Sequence, residues 1–146
     1  MIETIAPEIP SVAAAEARAV PPSTVADLQA VAHTRLLKVG MDALLAEVAH
    51  KLSSAQISLV VVCDSREKVM GVITETVLVR QLGFGSADIF TTKASEVMNK
   101  DVTTCLSSES LSDVLAMMHT RGLIHVLVVE DGNTPIGVLN ARDGLR

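Results

Sequence analysis

Hydrophobic residues recur along this chain in two patterns, and both patterns occur twice in the same order. Leu45, Val48, Ala49 and Leu52 stand three and four positions apart, so residues 42–54 are predicted as an amphipathic helix. Leu111, Val114, Leu115 and Met118 repeat that spacing and predict a helix over 109–121, with Ser107 or Ser108 as its cap. Two short Val-rich runs follow each helix, 58–63 with 69–73 and 124–129 with 135–139. They read as strands covered by helices on at least one face. Polar turns separate them, Asp64-Ser65-Arg66-Glu67 in the first pair and Glu130-Asp131-Gly132-Asn133 in the second, where glycine accepts positive φ cheaply. A further helix is expected after each second strand, over 75–82 with Thr74 as cap and over 141–145 with Asn140 as cap.

Positions 43–80 can be laid on 109–146 without a gap. Val48 falls on Val114, Val60 on Val126, Val62 on Val128, Gly71 on Gly137, Val72 on Val138 and Arg80 on Arg146. Upstream, Val25-Ala26-Asp27-Leu28 resembles Ser95-Glu96-Val97-Met98 at a different offset. The chain therefore divides into a first repeat over 24–82, a connection over 83–93 and a second repeat over 94–146. Residues 1–23, rich in Ala and Pro, read as a flexible arm with room for a short helical turn at 12–19. One such unit would be marginal alone; two can bury their apolar faces against each other. The expected fold is α/β of the α+β kind, each repeat a small sheet packed with two helices, with pseudo-two-fold symmetry and a cleft between the repeats suited to a ligand.

Composition narrows the function. Hydrophobic residues make up 49% of the chain, yet it has two Phe and no Trp or Tyr, so the core is aliphatic and base-stacking platforms are lacking. A net charge of -5 and the absence of any basic run argue against nucleic acid as a partner. Cys63 and Cys105 have no C-x-x-C spacing and fit buried thiols in a reducing compartment. The first residues show no secretory pattern, and Leu59–Cys63, the longest apolar run, is too short to span a bilayer. A cytoplasmic protein with no membrane partner is expected. Neither a G-x-S-x-G elbow nor a P-loop occurs, and His33, His50 and His119 are dispersed, so neither an enzyme nor a metal site is expected. Read on their own, Asn140 and Asp143 fit either a helix cap or a ligand contact, and His125 fits either a partly buried structural histidine or a ligand contact.

The second copy carries a run of pieces in order: Ala94-Ser95-Glu96-Val97-Met98, Val102-Thr103, a helix ending at Gly122, then Leu123-Ile124-His125-Val126-Leu127-Val128-Val129, then Pro135-Ile136-Gly137-Val138-Leu139-Asn140-Ala141-Arg142-Asp143. With the duplication, this resembles the paired CBS domains known as the Bateman module, over about residues 24–146. The resemblance implies a stand-alone regulatory or sensor module. It would need no cofactor, but would take AMP, ADP, ATP, S-adenosylmethionine or NAD as a regulatory ligand and pair as a homodimer. The resemblance places the ribose hydroxyls on Asp143, the phosphate near Asn140, close backbone approach at Gly137, and the base near Val102, Thr103, His125 and Val126. In the first copy Thr74 keeps the phosphate-side hydroxyl, but Val77 stands where Asp143 stands in the second. At most one ligand site per chain is therefore expected. The alternative is a dimerisation or protein-interaction module whose cleft binds nothing.

Overall fold

A computed structural model describes residues 24–53, 59–83 and 88–145. The arm at 1–23, its turn at 12–19, residues 54 and 58 at two element ends, and Arg146 lie outside them. The described chain opens with a 3-10 turn, Val25–Leu28, and runs into helix α1, Gln29–Thr34. Strand β1 (Lys38–Gly40), helix α2 (Leu45–Ser53), strands β2 (Leu59–Cys63) and β3 (Val69–Thr74) and helix α3 (Glu75–Gly83) follow. The second half repeats the order with α4 (Ala94–Val97), β4 (Thr104–Leu106), α5 (Leu111–Arg121), β5 (His125–Glu130), β6 (Thr134–Asn140) and a 3-10 turn, Ala141–Leu145.

The internal repeat governs strand pairing down to its irregularities. In the first sheet Leu59 opposes Thr74 and Val62 opposes Gly71, after which the register slips so that Cys63 meets Val69. In the second, His125 opposes Asn140, Val128 opposes Gly137, and the same slip brings Val129 to Pro135. Each sheet also has a third strand that the hydrophobic pattern does not reveal: β1 runs parallel to β2, and β4 parallel to β5. Such short strands with one buried member, Val39 or Cys105, are too brief to set up an alternation.

The helices differ from the hydrophobic pattern at their starts: α2 begins at Leu45 rather than 42, α5 at Leu111 rather than 109, and 141–145 forms a 3-10 turn. The cap of α5 is Ser110, whose hydroxyl accepts from the Asp113 N–H at 3.3 Å, and not Ser107 or Ser108. Both later caps form as expected. Thr74 Oγ1 accepts from Val77 N at 3.2 Å, and Asn140 Oδ1 accepts from Arg142 N at 2.8 Å.

The strands are buried on both faces because the two sheets pack on each other as well as on helices. Val60 and Val62 of β2 point toward Leu45, Val48 and Leu78, while Leu59, Val61 and Cys63 face Leu127, Val129 and Val138 of the other repeat. Strand β5 mirrors this, with Val126 and Val128 against Leu111, Val114 and Met118. Each fully buried Val, Leu or Ile contributes roughly 1.5–3 kcal/mol by leaving water. The shared layer therefore buries apolar faces that a single repeat would leave in water.

The segments that open the repeats are exchanged. Residues 24–26 bond across to the second repeat, Val25 N to Glu109 O at 3.0 Å and Ala26 N to Ser107 O at 2.8 Å. Residues 94–95 bond to the first, Ala94 N to Ala43 O at 2.7 Å and Ser95 N to Met41 O at 3.1 Å. Glu109 and Ser107 are the repeat counterparts of Ala43 and Met41, so Val25 corresponds to Ala94 and Ala26 to Ser95. Sequence comparison set Val25 against Ser95, one position too far along. The stretch from Val25 to Ala43 is longer than that from Ala94 to Glu109, which is why the opening segments need their own offset. Beyond these segments, Ala32 of α1 lies over Gly137 and Met98 lies over Gly71, again counterparts in the repeat.

Candidate functional site

A cavity of about 290 Å³ opens between the two repeats. Leu59, Val72 and Thr74 of the first sheet form one wall. Asn99, Asp101, Val102 and Thr103, leading into β4, form a second, and the stretch from Gly122 to His125 with Leu127 closes the third. The volume lies at the lower end of the roughly 300–1,000 Å³ usual for small-molecule sites.

Local structure holds each wall in place. Asn99 and Val72 exchange backbone hydrogen bonds at 2.8 and 2.9 Å, and the Asp101 N–H donates to Asn99 Oδ1 at 2.9 Å, folding the segment back over β3. Thr103 O accepts from Leu127 N at 3.1 Å, fixing that wall to β5. Gly122 leaves α5 with φ +68, a left-handed geometry that glycine adopts without strain, and Leu123 N then bonds back to Met118 O at 2.8 Å. The chain turns there so that His125 and Leu127 face the cavity.

Thr74, Val102, Thr103 and His125 are therefore brought together. The other four expected residues stand elsewhere. Val126 alternates to the opposite face of β5 and packs under α5, 1% exposed. Gly137 admits a helix: a Cβ there would lie 2.8 Å from Ala32 Cβ, so the close approach serves packing of α1 on β6. Asn140 and Asp143 cap the last turn, Asn140 N donating to Asp143 Oδ2 at 2.9 Å.

Asp143 has a partner that the sequence did not announce. Arg35 Nη1 and Nη2 donate to Asp143 Oδ2 and Oδ1, both at 2.9 Å, a bidentate fork, and Nη1 also reaches Val138 O at 3.2 Å. The two side chains are 10% and 6% exposed. The carboxylate pushes the Arg35 guanidinium above its ordinary value, chiefly through the hydrogen bonds. Asp143 lies far along the chain from Arg35, in the other repeat, so no local pattern links them.

His125 sits half-buried at the cavity wall, and its pKa is lowered, first by burial and then by the nearby Arg35 cation, against a smaller pull from Asp143. A histidine neutral when folded but protonated when unfolded makes stability rise with pH between its two pKa values. The His125 contribution is thus complete above the ordinary value of 6.5 and is lost as pH falls through the lowered folded value. Thermal melts of wild type and His125→Gln between about pH 7.5 and 5 check this. Wild type should lose more of its Tm on acidification than the variant; parallel curves would contradict the assignment.

Among the described residues no group of three or more His, Cys, Asp or Glu side chains is placed to hold a metal ion, and no helix is long and apolar enough to cross a membrane.

The arrangement has close relatives. A curated protein of Acidianus ambivalens, an uncharacterized 17.7 kDa protein, is 26% identical over 113 residues, covering 77% of this chain and 67% of that one. Arabinose 5-phosphate isomerase GutQ of Escherichia coli K12 is 33% identical over 103 residues, covering 70% of this chain but 30% of the isomerase. The chain therefore spans about two thirds of the first relative and less than a third of the second. A solved CBS-domain containing protein from Agrobacterium tumefaciens superposes with a TM-score of 0.69 at 28% identity, covering 84% of this chain and 91% of that one. The CBS domain pair of protein MJ0100, in complex with 5′-methylthioadenosine and S-adenosyl-L-methionine, gives a TM-score of 0.71 at 22% identity, covering 86% and 95%. The family model for the CBS domain matches twice, over residues 25–83 and 94–146. With this double match, the repeated three-stranded sheets and the cavity between them, the chain belongs to the CBS domain family as a tandem pair.

Proposed function

We propose that the chain is a regulatory module that binds an adenosyl ligand in the cavity between its repeats. The observation that carries this reading is the cavity itself. Its wall joins Thr74 of one repeat to Val102, Thr103 and His125 of the other, so an occupant would bridge the two and bias their packing. The MJ0100 pair, of the same fold, is solved with adenosyl compounds. Leu59, Val72, Leu123 and Leu127 offer an apolar slot for a purine, and the Thr74 and Thr103 hydroxyls can donate or accept at its rim. Neither Asn140 nor Asp143 lines this cavity, and Arg35 and the Asn140 N–H hold the Asp143 carboxylate.

Isothermal titration of the full chain with adenosine tests the proposal, alongside Val102→Trp to fill the cavity. Adenosine should bind wild type and raise its Tm, by mass action worth about 2.7 kcal/mol at a hundred times Kd. The tryptophan variant should show at least a tenfold weaker affinity. If wild type binds no adenosyl compound at millimolar concentration, the second reading takes over: a module for pairing with another copy of itself. That reading draws on α3, where Val79 and Leu82 are exposed. Light scattering on the same sample should then give about twice the 15.4 kDa chain mass, and a monomer would remove it. The free, buried Cys63 and Cys105 support a reducing, cytoplasmic setting for either role.

A further inference from the structure

We propose that the cavity between the repeats selects adenosyl compounds lacking phosphate, an uncharged nucleoside or a sulfonium, over nucleoside phosphates. The inference rests on the ligand reading above and narrows its chemical class. Of the residues lining the cavity, Asp101 is the one with a fixed charge, and it is negative. His125, the other titratable group in the wall, is driven toward its neutral form by burial.

Four cations among the described residues could in principle offset a phosphate, and none lines the cavity. Arg35 lies near enough to His125 to oppose its protonation, but its guanidinium is held by Asp143 through both nitrogens at 2.9 Å. Lys100, between Asn99 and Asp101, is exposed and contributes nothing to the wall. Arg121, next to Gly122, is exposed and turns back along α5 toward Met117 Sδ at 3.9 Å. Arg80 sits on α3 in a separate surface hollow with Glu75 and Val79. Of the residues outside the described ones, 54–58 and 84–87 carry no Lys or Arg in their sequence, and the remainder carry Arg18 and Arg146.

The start of α3 does not compensate. Its Val77 N–H is already taken by Thr74 Oγ1 at 3.2 Å. A phosphate placed beside Thr74 would therefore meet the Asp101 carboxylate, with no Lys or Arg of the described residues lining the cavity. The remaining wall suits the rest of an adenosyl compound. Leu59, Val72, Val102, Leu123 and Leu127 are apolar, and the Asp101 carboxylate can accept ribose hydroxyl protons or face a sulfonium.

Calorimetric titration of the full chain with 5′-methylthioadenosine, S-adenosylmethionine, AMP and ATP in about 0.1 M salt tests the selection. 5′-Methylthioadenosine should bind about tenfold or more tighter than AMP, with ATP weaker still. Asp101→Asn should narrow that gap, and Asp101→Lys should reverse it. AMP or ATP binding more tightly than 5′-methylthioadenosine, with Val102→Trp abolishing both, would overturn the charge selection while leaving the ligand reading intact. A gap unmoved by Asp101→Lys would overturn it too. If none of the four compounds binds, the ligand reading fails and this inference with it.

Discussion

Replacing Arg35 with alanine should lower the free energy of unfolding by about 3 kcal/mol, because it removes the charged partner of a buried carboxylate that keeps its hydrogen bond from Asn140 N. Arg35 and Asp143 are 10% and 6% exposed and meet through two hydrogen bonds of 2.9 Å. An exposed pair of this kind would be worth about 1 kcal/mol or less. Burial changes the arithmetic, since an unpaired buried charge loses its hydration without recovering an attraction. The loss would also spread, because Arg35 ties the segment after α1 to β6 through Val138 O at 3.2 Å. Urea denaturation near neutral pH measures it. Arg35→Met combined with Asp143→Leu should recover most of the stability, since apolar groups of similar volume need no counter-charge. A loss below about 1 kcal/mol in Arg35→Ala would show that water reaches the carboxylate freely.

A second large effect is expected at Gly137. An added Cβ would stand 2.8 Å from Ala32 Cβ, 3.0 Å from its carbonyl carbon and 3.2 Å from its oxygen. Two of those three atoms are backbone, so the clash cannot be relieved by rotating a side chain. Overpacking of this kind costs typically about 1–3 kcal/mol, and Gly137→Ala should fall at the upper end because α1 as a whole must move off β6. Gly40 supplies the control: nothing lies within 4 Å of its added Cβ, so Gly40→Ala should change stability by less than about 1 kcal/mol. Adding Ala32→Gly to Gly137→Ala should restore part of the loss. Additive losses in that double variant would mean the two residues do not touch in solution.

The legible part of the fold was the part written in local periodicity. Leu45, Val48 and Leu52, and their repeat counterparts Leu111, Val114 and Met118, mark helices because three- and four-position spacing is itself the helical face. The gap-free alignment set Gly71 against Gly137, and the two sheets repeat each other's register at those positions. What escaped was short or remote. Strands β1 and β4 bury one side chain each, too few for a pattern. The exchanged opening segments depend on backbone bonds such as Val25 N to Glu109 O, which leave no trace in side-chain order.

The site divided along the same line. Thr74, Val102, Thr103 and His125 were named from the sequence, and one cavity gathers them. Strand alternation sends the Val126 side chain to the opposite face from His125. Gly137 was read as room for a ligand, whereas the room is filled by Ala32. Asp143 carried the ribose in the expectation, but the contribution of Arg35 depends on a contact between the two repeats that only folding creates. The asymmetry visible in the sequence, Val77 opposite Asp143 in the repeat, carries no mark of Arg35. That asymmetry extends to the cations. Carried upstream at the same offset, the alignment sets Arg35 opposite Asp101 of the cavity wall, so corresponding positions carry opposite charge.

The central claim is that an adenosyl compound occupies the cavity on the Thr74 side of the pair. Amide chemical-shift mapping of the full chain during titration with 5′-methylthioadenosine tests it most directly. The largest shifts should fall on Thr74, Asn99 to Thr103 and Ile124 to Leu127, with Ala141 to Asp143 moving little. Shifts centred instead on Asn140 and Asp143, or none at millimolar ligand, would contradict it.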